Sequence, residues 1–199
     1  MSGLKALLVD LDGTLVDTAE ANFAAYRAAL EPHGVKLTRE WWDAHGFGRN
    51  WREFLPDLLS GHPGVTPAEV AARKAEIYPD FVASTVVNQP LVGLIRLLKT
   101  SLRIALVTSA SRPAADLLLN VHDLGALFDE VVTGDDVAVH KPAPLAFQLA
   151  ADRLGVLPDE CLIIEDSSTG IAAAAAFGAP CLVVGDFARG QLTDLALAL

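Results

Sequence analysis

The sequence contains few cysteines and no long hydrophobic segment. Its two cysteines, Cys161 and Cys181, each begin a short apolar run in a chain of 199 residues. This usage is typical of buried thiols in a reducing compartment rather than of a disulfide framework. No apolar run approaches the roughly 20 residues that a membrane-spanning helix needs, and the N-terminus does not read as a secretory signal. We therefore expect a cytoplasmic protein that does not interact with a membrane.

Basic residues are also scarce: 15 Lys and Arg stand against 25 Asp and Glu, for a net charge of −10. A surface of this charge repels nucleic acid and anionic membranes, so neither is an expected partner. An anionic substrate would need nearby lysine, arginine or metal ions to offset the overall field. The five histidines show no i, i+4 spacing, which argues against a zinc site.

Short apolar runs alternate with helical segments along most of the chain. Hydrophobic residues make up 52% of the sequence, enough for one large core or two modest ones. The runs are apolar on both faces, as in a parallel sheet that is covered on both sides. Their alternation with helices predicts a doubly wound α/β fold with a Rossmann-like parallel sheet. We place the strands at residues 4–9, 102–107, 130–132, 162–164 and 181–184.

Residues 18–84 break this alternation, because they contain helical patterns and no convincing strand. The patterns cover 19–30, 38–44, 51–59 and 67–82, and Thr66-Pro67 with Glu69 is a helix start signal. We predict a core domain of residues 1–17 and 85–199 and an all-helical cap of residues 18–84, inserted after the first strand. Such an insertion beside the strand ends is typical of a lid, and a purely structural insertion is the alternative. After Asp186 we expect a closing helix of leucine and alanine.

Two aspartates, Asp10 and Asp12, follow the first apolar run. At i and i+2 on an extended chain, both side chains leave the same face. A buried strand that ends in two carboxylates needs something to offset their desolvation, and close carboxylates shift each other's pKa unless a cation lies between them. The pattern indicates a metal site, an acid–base pair, or both. An ordinary turn at Asp12-Gly13 is the alternative.

Three further polar groups follow predicted strands or precede predicted helices. Thr108 and Ser109 end the second run just before a helix start, where hydroxyl and amide groups can bind an anion. Lys141, which the next proline favours in an extended conformation, can reach a phosphate or a carboxylate. Glu165 and Asp166 end another buried run. Each has an ordinary alternative, such as a helix cap or a solvated lysine, but together with the first motif they indicate one site.

These residues resemble the four motifs of the haloacid dehalogenase superfamily, and the resemblance covers essentially the whole chain. The motifs are Asp10-x-Asp12-Gly-Thr14, then Thr108, then Lys141, then Glu165-Asp166. The helical insertion is similar to the C1 cap of the subfamily that contains phosphoglycolate phosphatases, sugar-phosphate phosphatases and β-phosphoglucomutase. The resemblance implies a Rossmann-like core, Mg²⁺, and phosphoryl transfer through an aspartyl phosphate.

The resemblance also implies the acidic roles. Asp10 would be the nucleophile and a metal ligand. Asp12 would be the general acid and then the general base, with its backbone carbonyl on the metal. Asp166 would be the main metal ligand of the fourth motif, with Glu165 either ligating the metal or holding one of its waters.

The phosphate-binding roles follow in the same way. Thr108 would hold the phosphoryl oxygens together with the backbone N–H groups of Ser109 and Leu11. Lys141 would neutralise charge on Asp10 and on the phosphoryl group.

Asp12 favours a phosphatase or a mutase, because the dehalogenases of the family lack this aspartate and its ATPases generally carry threonine there. Thr18-Ala19-Glu20 with Phe23, and Arg73-Lys74 with Tyr78, are locally similar to β-phosphoglucomutase. However, that mutase has a histidine where Asn22 stands. We predict a Mg²⁺-dependent phosphoric monoester hydrolase. A phosphomutase and a non-catalytic module that binds a phosphorylated ligand are the alternatives.

The expected substrate is a small phosphorylated metabolite such as a sugar phosphate. Candidate specificity residues in the cap are Arg49, Arg52, Lys74 and Asn22. The aromatic residues of the cap are predicted to form its core: Trp41, Trp42, Phe47, Trp51 and Phe54. We expect a monomer or a weak dimer.

Overall fold

The computed structural model describes residues 3–185 and 196–198. The chain divides into two compact units, one of Met1–Asp17 with Val86–Leu199 and one of Thr18–Thr85. No helix among the described residues is both long enough and apolar enough to cross a membrane.

Within residues 3–185 and 196–198, the first unit contains a six-stranded sheet. In chain order its strands are β1 (Ala6–Val9), β4 (Arg103–Val107), β5 (Glu130–Val132), β6 (Cys161–Glu165), β7 (Cys181–Val183) and β8 (Ala196–Ala198). Their spatial order is β5-β4-β1-β6-β7-β8, and all pairs except the antiparallel β7–β8 pair are parallel. The predicted α/β class is confirmed.

The strand order reverses at the centre of this sheet. β1 pairs with β4 on one side, with Val9 opposite Leu106, and with β6 on the other, with Val9 opposite Ile164. The chain runs outward from β1 to β4 and β5 before it crosses back to β6. Ligands of open α/β sheets bind at the carboxyl ends of the strands beside such a reversal. This topology therefore marks the edge where Asp10 follows β1.

The described residues of this unit form four helices: α5 (Gln89–Leu98), α6 (Arg112–Val121), α7 (Leu145–Leu154) and α8 (Ser168–Phe177). α7 and α8 pack small and aromatic side chains against the sheet in one core, where the Phe147 and Phe177 rings lie 6.2 Å apart. Cys161 and Cys181 are buried in this core as free thiols. Burial raises the pKa of both to about 11, as expected for unreactive core thiols.

A short antiparallel pair marks the place where the chain leaves this unit and returns to it. β2 (Val16–Asp17) pairs with β3 (Val86–Val87). The adjoining residue Asn88 donates its backbone N–H to the Leu15 carbonyl at 2.9 Å and its side-chain amide to the Thr14 carbonyl at 3.1 Å. These bonds tie both connecting segments to the loop that carries Asp12.

The second unit is helical: α1 (Ala19–Leu30), α2 (Arg39–His45), α3 (Trp51–Leu58) and α4 (Pro67–Ile77). Its core contains Trp42 and Phe54, with Trp41, Phe47 and Trp51 packed partly buried against them, so the prediction for the aromatic cluster is confirmed. Trp42 and Phe54 meet edge to face, with ring centroids 5.6 Å apart.

Helix α4 begins as predicted but ends earlier. Thr66 and Glu69 form a capping box, with Pro67 in the first turn. The predicted helix of residues 67–82 is wrong beyond Ile77, where two short 3₁₀ turns follow at Tyr78–Asp80 and Val82–Ser84. Pro79 lacks the N–H that would continue the α-helical ladder.

The closing helix predicted after Asp186 falls largely on residues 186–195 and 199, which lie outside the described residues. For residues 196–198 the prediction is wrong, because they form β8. The edge of β7 offers backbone donors and acceptors to a partner strand, and this pairing overrides the helix propensity of leucine and alanine.

Candidate active site

Lys141 is the centre of the acidic cluster at the strand ends. Its Nζ donates hydrogen bonds to Asp10 Oδ1 at 2.7 Å, to Glu165 Oε1 at 2.6 Å and to the Val107 carbonyl at 2.9 Å. The lysine side chain is 3% exposed and both carboxylates are also buried, so these are charge-assisted bonds shielded from water. The lysine thus joins the ends of β1, β4 and β6.

Glu165 is fully buried, and the protein itself satisfies both of its carboxylate oxygens. Oε1 accepts from Lys141, while Oε2 accepts from the backbone N–H groups of Asp166 and Ser167 and from the Ser167 hydroxyl, each at 3.0 Å. Ser167 also caps α8 by accepting the Gly170 N–H at 3.0 Å. Glu165 therefore connects the lysine to the start of α8.

Asp166 lies beside the first motif. Its Oδ1 accepts a hydrogen bond from the Thr14 hydroxyl at 2.8 Å. Gly13 has φ +89°, and a Cβ at this position would overlap the Asp166 carboxyl. A glycine is therefore needed here both for the backbone conformation and for the close approach of the two motifs.

Asp12 and Thr108 meet at the same sheet edge. The Thr108 hydroxyl donates to Asp12 Oδ2 at 3.3 Å and accepts the Ala110 N–H at 3.0 Å. Asp12 is partly exposed, whereas Asp10 is only 6% exposed. The two aspartates of the first motif thus differ in environment: Asp10 is in the buried cluster and Asp12 is at its rim. Ser109 follows Thr108 and is half-buried, and Leu11 is fully buried.

The cluster holds more negative than positive charge. Burial raises the pKa of Asp10 well above its usual value; Glu165 and Asp166 raise it further, and Lys141 opposes this effect. Burial and the charge of Glu165 raise the pKa of Asp166 to about 7. For Lys141, burial would lower the pKa, but the carboxylates of Asp10 and Glu165 raise it above its usual value.

This chemistry fits a divalent cation. Carboxylate oxygens of Asp10, Glu165 and Asp166, one from each, lie within 4.8 Å of one another, and the Lys141 ammonium bonds two of these three acids, Asp10 and Glu165. An oxygen-only donor set of this kind suits a hard cation. The cluster can therefore hold a divalent metal ion.

The predicted cap residues all belong to the helical unit. Arg52 lies 4.4 Å from the centroid of the Trp51 ring, and Asn22 donates its side-chain amide to the Thr18 hydroxyl at 3.0 Å. Arg49 is exposed. Burial raises the pKa of the nearby Glu53, and the charge of Arg49 partly opposes this shift.

Lys74 is 7% exposed, and its Nζ lies 3.4 Å from the Tyr78 ring centroid and 5.2 Å from that of Tyr26. The part that these four cap residues play in specificity stays a prediction.

The structure adds three residues that the motif analysis did not assign to the site. Thr14 binds Asp166, Ser167 binds Glu165, and Gly170 leaves room for the Glu165 carboxyl, which an added Cβ would overlap. Thr14 belongs to the first motif and Ser167 directly follows the fourth, so their hydroxyls were the available signal. The sequence gives no such signal for Gly170, because its role depends on the Glu165 side chain from the preceding strand.

The family model of haloacid dehalogenase-like hydrolases matches residues 4–178. The chain belongs to this family. The match spans β1 to the end of α8, so it includes every motif residue of the cluster. It confirms the predicted family, and with it the assignment of the chain as an enzyme.

Individual relatives of the hydrolase are phosphatases or bind phosphate. It is 32% identical over 172 residues to the fructose-1-phosphate phosphatase YqaB of Escherichia coli, covering 86% of this chain and 92% of that protein. It is 32% identical over 183 residues to a phosphorylated carbohydrates phosphatase of Thermotoga maritima, covering 88% and 82%. The crystal structure of CbbY from Rhodobacter sphaeroides in complex with phosphate superposes with a TM-score of 0.84 at 27% identity, covering 97% and 91%.

Proposed function

We propose that the hydrolase releases inorganic phosphate from small phosphorylated sugars with Mg²⁺ as its metal ion. The buried Asp10–Lys141–Glu165 cluster carries this proposal, because it holds the carboxylate that we assign as the nucleophile against an ammonium at the strand reversal. The named relatives support the substrate class, since two of them are phosphatases of phosphorylated carbohydrates.

In the first half-reaction an Asp10 carboxylate oxygen attacks phosphorus, and the bond from phosphorus to the sugar oxygen breaks. Asp12, at the rim of the cluster, donates a proton to that leaving oxygen. The Thr108 hydroxyl, which donates to Asp12 in this structure, orients the acid. The sugar leaves as an alcohol, and Asp10 holds the phosphoryl group as an acyl phosphate.

In the second half-reaction Asp12 accepts a proton from water, which attacks the phosphoryl group. Inorganic phosphate leaves and the Asp10 carboxylate is restored. Lys141 favours the ionised form of Asp10 that the first step needs and neutralises charge on the phosphoryl oxygens. Thr108 with the N–H groups of Ser109 and Leu11 holds those oxygens.

Asp10, the Asp12 carbonyl and Asp166 would hold Mg²⁺. The bound ion would add positive charge beside the phosphoryl oxygens. We assign Glu165 to the support of Lys141 and of helix α8, because its oxygens already accept four hydrogen bonds from the protein. The helical unit acts as a cap, and Arg49, Arg52, Lys74 and Asn22 select the sugar.

The test is phosphate release with Mg²⁺ across a panel of phosphorylated metabolites, with p-nitrophenyl phosphate as a generic substrate. The panel includes fructose 1-phosphate, phosphoglycolate and β-glucose 1-phosphate. We expect rapid release from one or a few sugar phosphates, loss of turnover with EDTA, and recovery with added Mg²⁺. Asp10→Asn should abolish turnover while the folded state persists, and retained activity in this variant would exclude Asp10 as the nucleophile.

Two results would replace the proposal. Conversion of β-glucose 1-phosphate to glucose 6-phosphate, with a bisphosphate activator and little phosphate released, would identify a mutase. Binding of inorganic phosphate without turnover of any panel member would identify a binding module.

A further inference from the structure

Outside the active-site cluster, the carboxylate of Asp136 accepts several hydrogen bonds at the carboxyl edge of the same sheet. It ends a short 3₁₀ turn, Gly134–Asp136, which Thr133 links to the end of β5. Its Oδ2 accepts from the backbone N–H and the hydroxyl of Thr133 and from the Arg112 guanidinium, each at 2.8 Å. Its Oδ1 accepts from Arg153 at 3.1 Å. Four donors from three segments therefore meet at one side chain.

The start of helix α6 depends on this turn. The residue before the helix, Ser111, makes no side-chain capping bond. Instead, the backbone N–H of Arg112 donates to Asp135 Oδ2 at 2.8 Å, while the Arg112 guanidinium reaches Asp136 and the Val131 carbonyl. The first residue of α6 is thus held through its main chain and its side chain by neighbouring segments.

These segments are the ones that carry the phosphate-binding groups. Thr108 and Ser109 lie just before α6, and Lys141 lies five residues after Asp136. The Gly134 N–H also donates to the Ala110 carbonyl at 2.8 Å. The turn therefore contacts the Thr108 loop on one side and leads into the Lys141 segment on the other.

We propose that Asp136 is a positioning residue for phosphoryl recognition: through Arg112 it holds the start of α6, and hence Thr108 and Ser109, in register with Lys141. The proposal rests on the phosphatase function proposed above. One partly exposed ion pair adds little to stability. A carboxylate with four donors from separate segments instead restricts their relative positions, and sub-ångström placement decides the rate of phosphoryl transfer.

The chain offers a matched control at the opposite end of the same strand. Asp129 directly precedes β5 and accepts from the Ile104 N–H at 2.8 Å and from Lys99 Nζ at 2.9 Å. Like Asp136, it bonds a backbone amide and a basic side chain and has a lowered pKa. It lies at the amino end of the parallel strands, away from Asp10 and Thr108.

The experiment compares Asp136→Asn with Asp129→Asn in the full chain. It measures kcat and KM for p-nitrophenyl phosphate, the inhibition constant of inorganic phosphate, and the thermal midpoint, at a temperature where each variant is folded. We expect Asp136→Asn to weaken phosphate inhibition and to lower kcat/KM by about tenfold. Asp129→Asn should keep both the inhibition constant of phosphate and kcat/KM within about twofold of the wild type, although its thermal midpoint falls by a similar amount. Equal effects of the two variants on the phosphate constants would overturn the proposal.

A second variant keeps the test decisive if Asp136→Asn does not fold. Arg112→Lys retains the charge and leaves Asp136 bonded to Thr133 and Arg153, but removes the planar fork that reaches the turn. It should shift the phosphate constants in the same direction, and unchanged constants would contradict the proposal.

Calorimetric titration of inorganic phosphate with Mg²⁺ separates the two proposals. Phosphate binding by the wild type without turnover would reject the phosphatase function. The role of Asp136 would still be tested, because the phosphate affinities of Asp136→Asn and Asp129→Asn can be compared without turnover. A wild type that shows neither phosphate binding nor turnover would reject both proposals.

Discussion

Replacing Gly170 by alanine should destabilise the protein, although alanine is the better helix former. Gly170 is in the first turn of α8, and its added Cβ would overlap the whole carboxyl group of Glu165. Glu165 is fully buried on β6, whose backbone is paired with β1 and β7, so the carboxyl can move only by abandoning its partners. The substitution therefore removes the link between Lys141 and the start of α8.

The structure sets the size of this effect. Displacement of the carboxyl breaks its bond to Lys141 at 2.6 Å and three bonds to Asp166 and Ser167. Loss of one partner from a buried ion pair costs about 3–5 kcal/mol, and the gain in helix propensity returns about 1 kcal/mol. We expect a net loss of about 2–4 kcal/mol, or roughly 5–15 °C in the thermal midpoint.

Gly93 is the matched control within the same unit. It lies inside α5 and is exposed, and a Cβ added there meets no atom of the described residues within 4 Å. Gly93→Ala should therefore raise the free energy of unfolding by up to about 1 kcal/mol and the thermal midpoint by about 2–4 °C. Thermal and urea unfolding followed by circular dichroism measure both variants. Gly170→Ala should also lose turnover, whereas Gly93→Ala should keep it.

A midpoint for Gly170→Ala equal to or above that of the wild type would refute the reasoning. It would mean that Glu165 moves without loss and does not hold Lys141. A lower thermal midpoint in both variants would show that replacing glycine by alanine destabilises either helix, and that the overlap with Glu165 is not the cause.

Two further predictions concern stability. Burial alone would raise the pKa of Asp136, but the amide and hydroxyl of Thr133 and the guanidinium groups of Arg153 and Arg112 lower it from 3.8 to about 2. Because the folded-state pKa is the lower one, this contribution is complete above pH 4 and is lost as the pH falls through 2. Asp136 is partly exposed, so solvent screens these interactions and reduces their contribution. The unfolding free energy of wild type should thus exceed that of Asp136→Asn by about 1 kcal/mol at neutral pH, and the difference should close between pH 4 and pH 2 in urea titrations. A difference that does not change with pH would contradict the assignment. In the helical unit, Thr66→Ala removes the hydroxyl of the α4 capping box and should lower the unfolding free energy by about 1 kcal/mol in the same assay. An unfolding free energy equal to that of the wild type would show that the capping box does not contribute to stability.

Much of the α/β unit could be predicted because its signals are local. The predicted apolar runs correspond to β1, β4, β5, β6 and β7, within two residues at each end. The acids and hydroxyls that follow these runs were recognisable as motifs, and Thr66-Pro67 with Glu69 marked the start of α4. Hydrophobic periodicity and turn chemistry act within a few residues, so the sequence displays them directly.

Other features depend on which segments meet. The end of α4 at Ile77 could have been recognised from Pro79, but β8 arises from the edge that β7 presents, which local propensity does not register. Neither the need for a glycine at position 170 nor the bond between Arg112 and Asp136 follows from the neighbouring residues in the chain.

The sequence by itself determined which residues could do phosphate chemistry and that they follow the strands of a parallel sheet. Only the tertiary structure decided their contacts: it places Lys141 against Asp10, 131 residues earlier, and against Glu165, and it separates a buried Asp10 from a rim Asp12. The reason is physical. Strand order and register bring distant side chains within hydrogen-bonding distance, and burial then sets their charge, whereas a sequence pattern records only the short-range preferences of each segment.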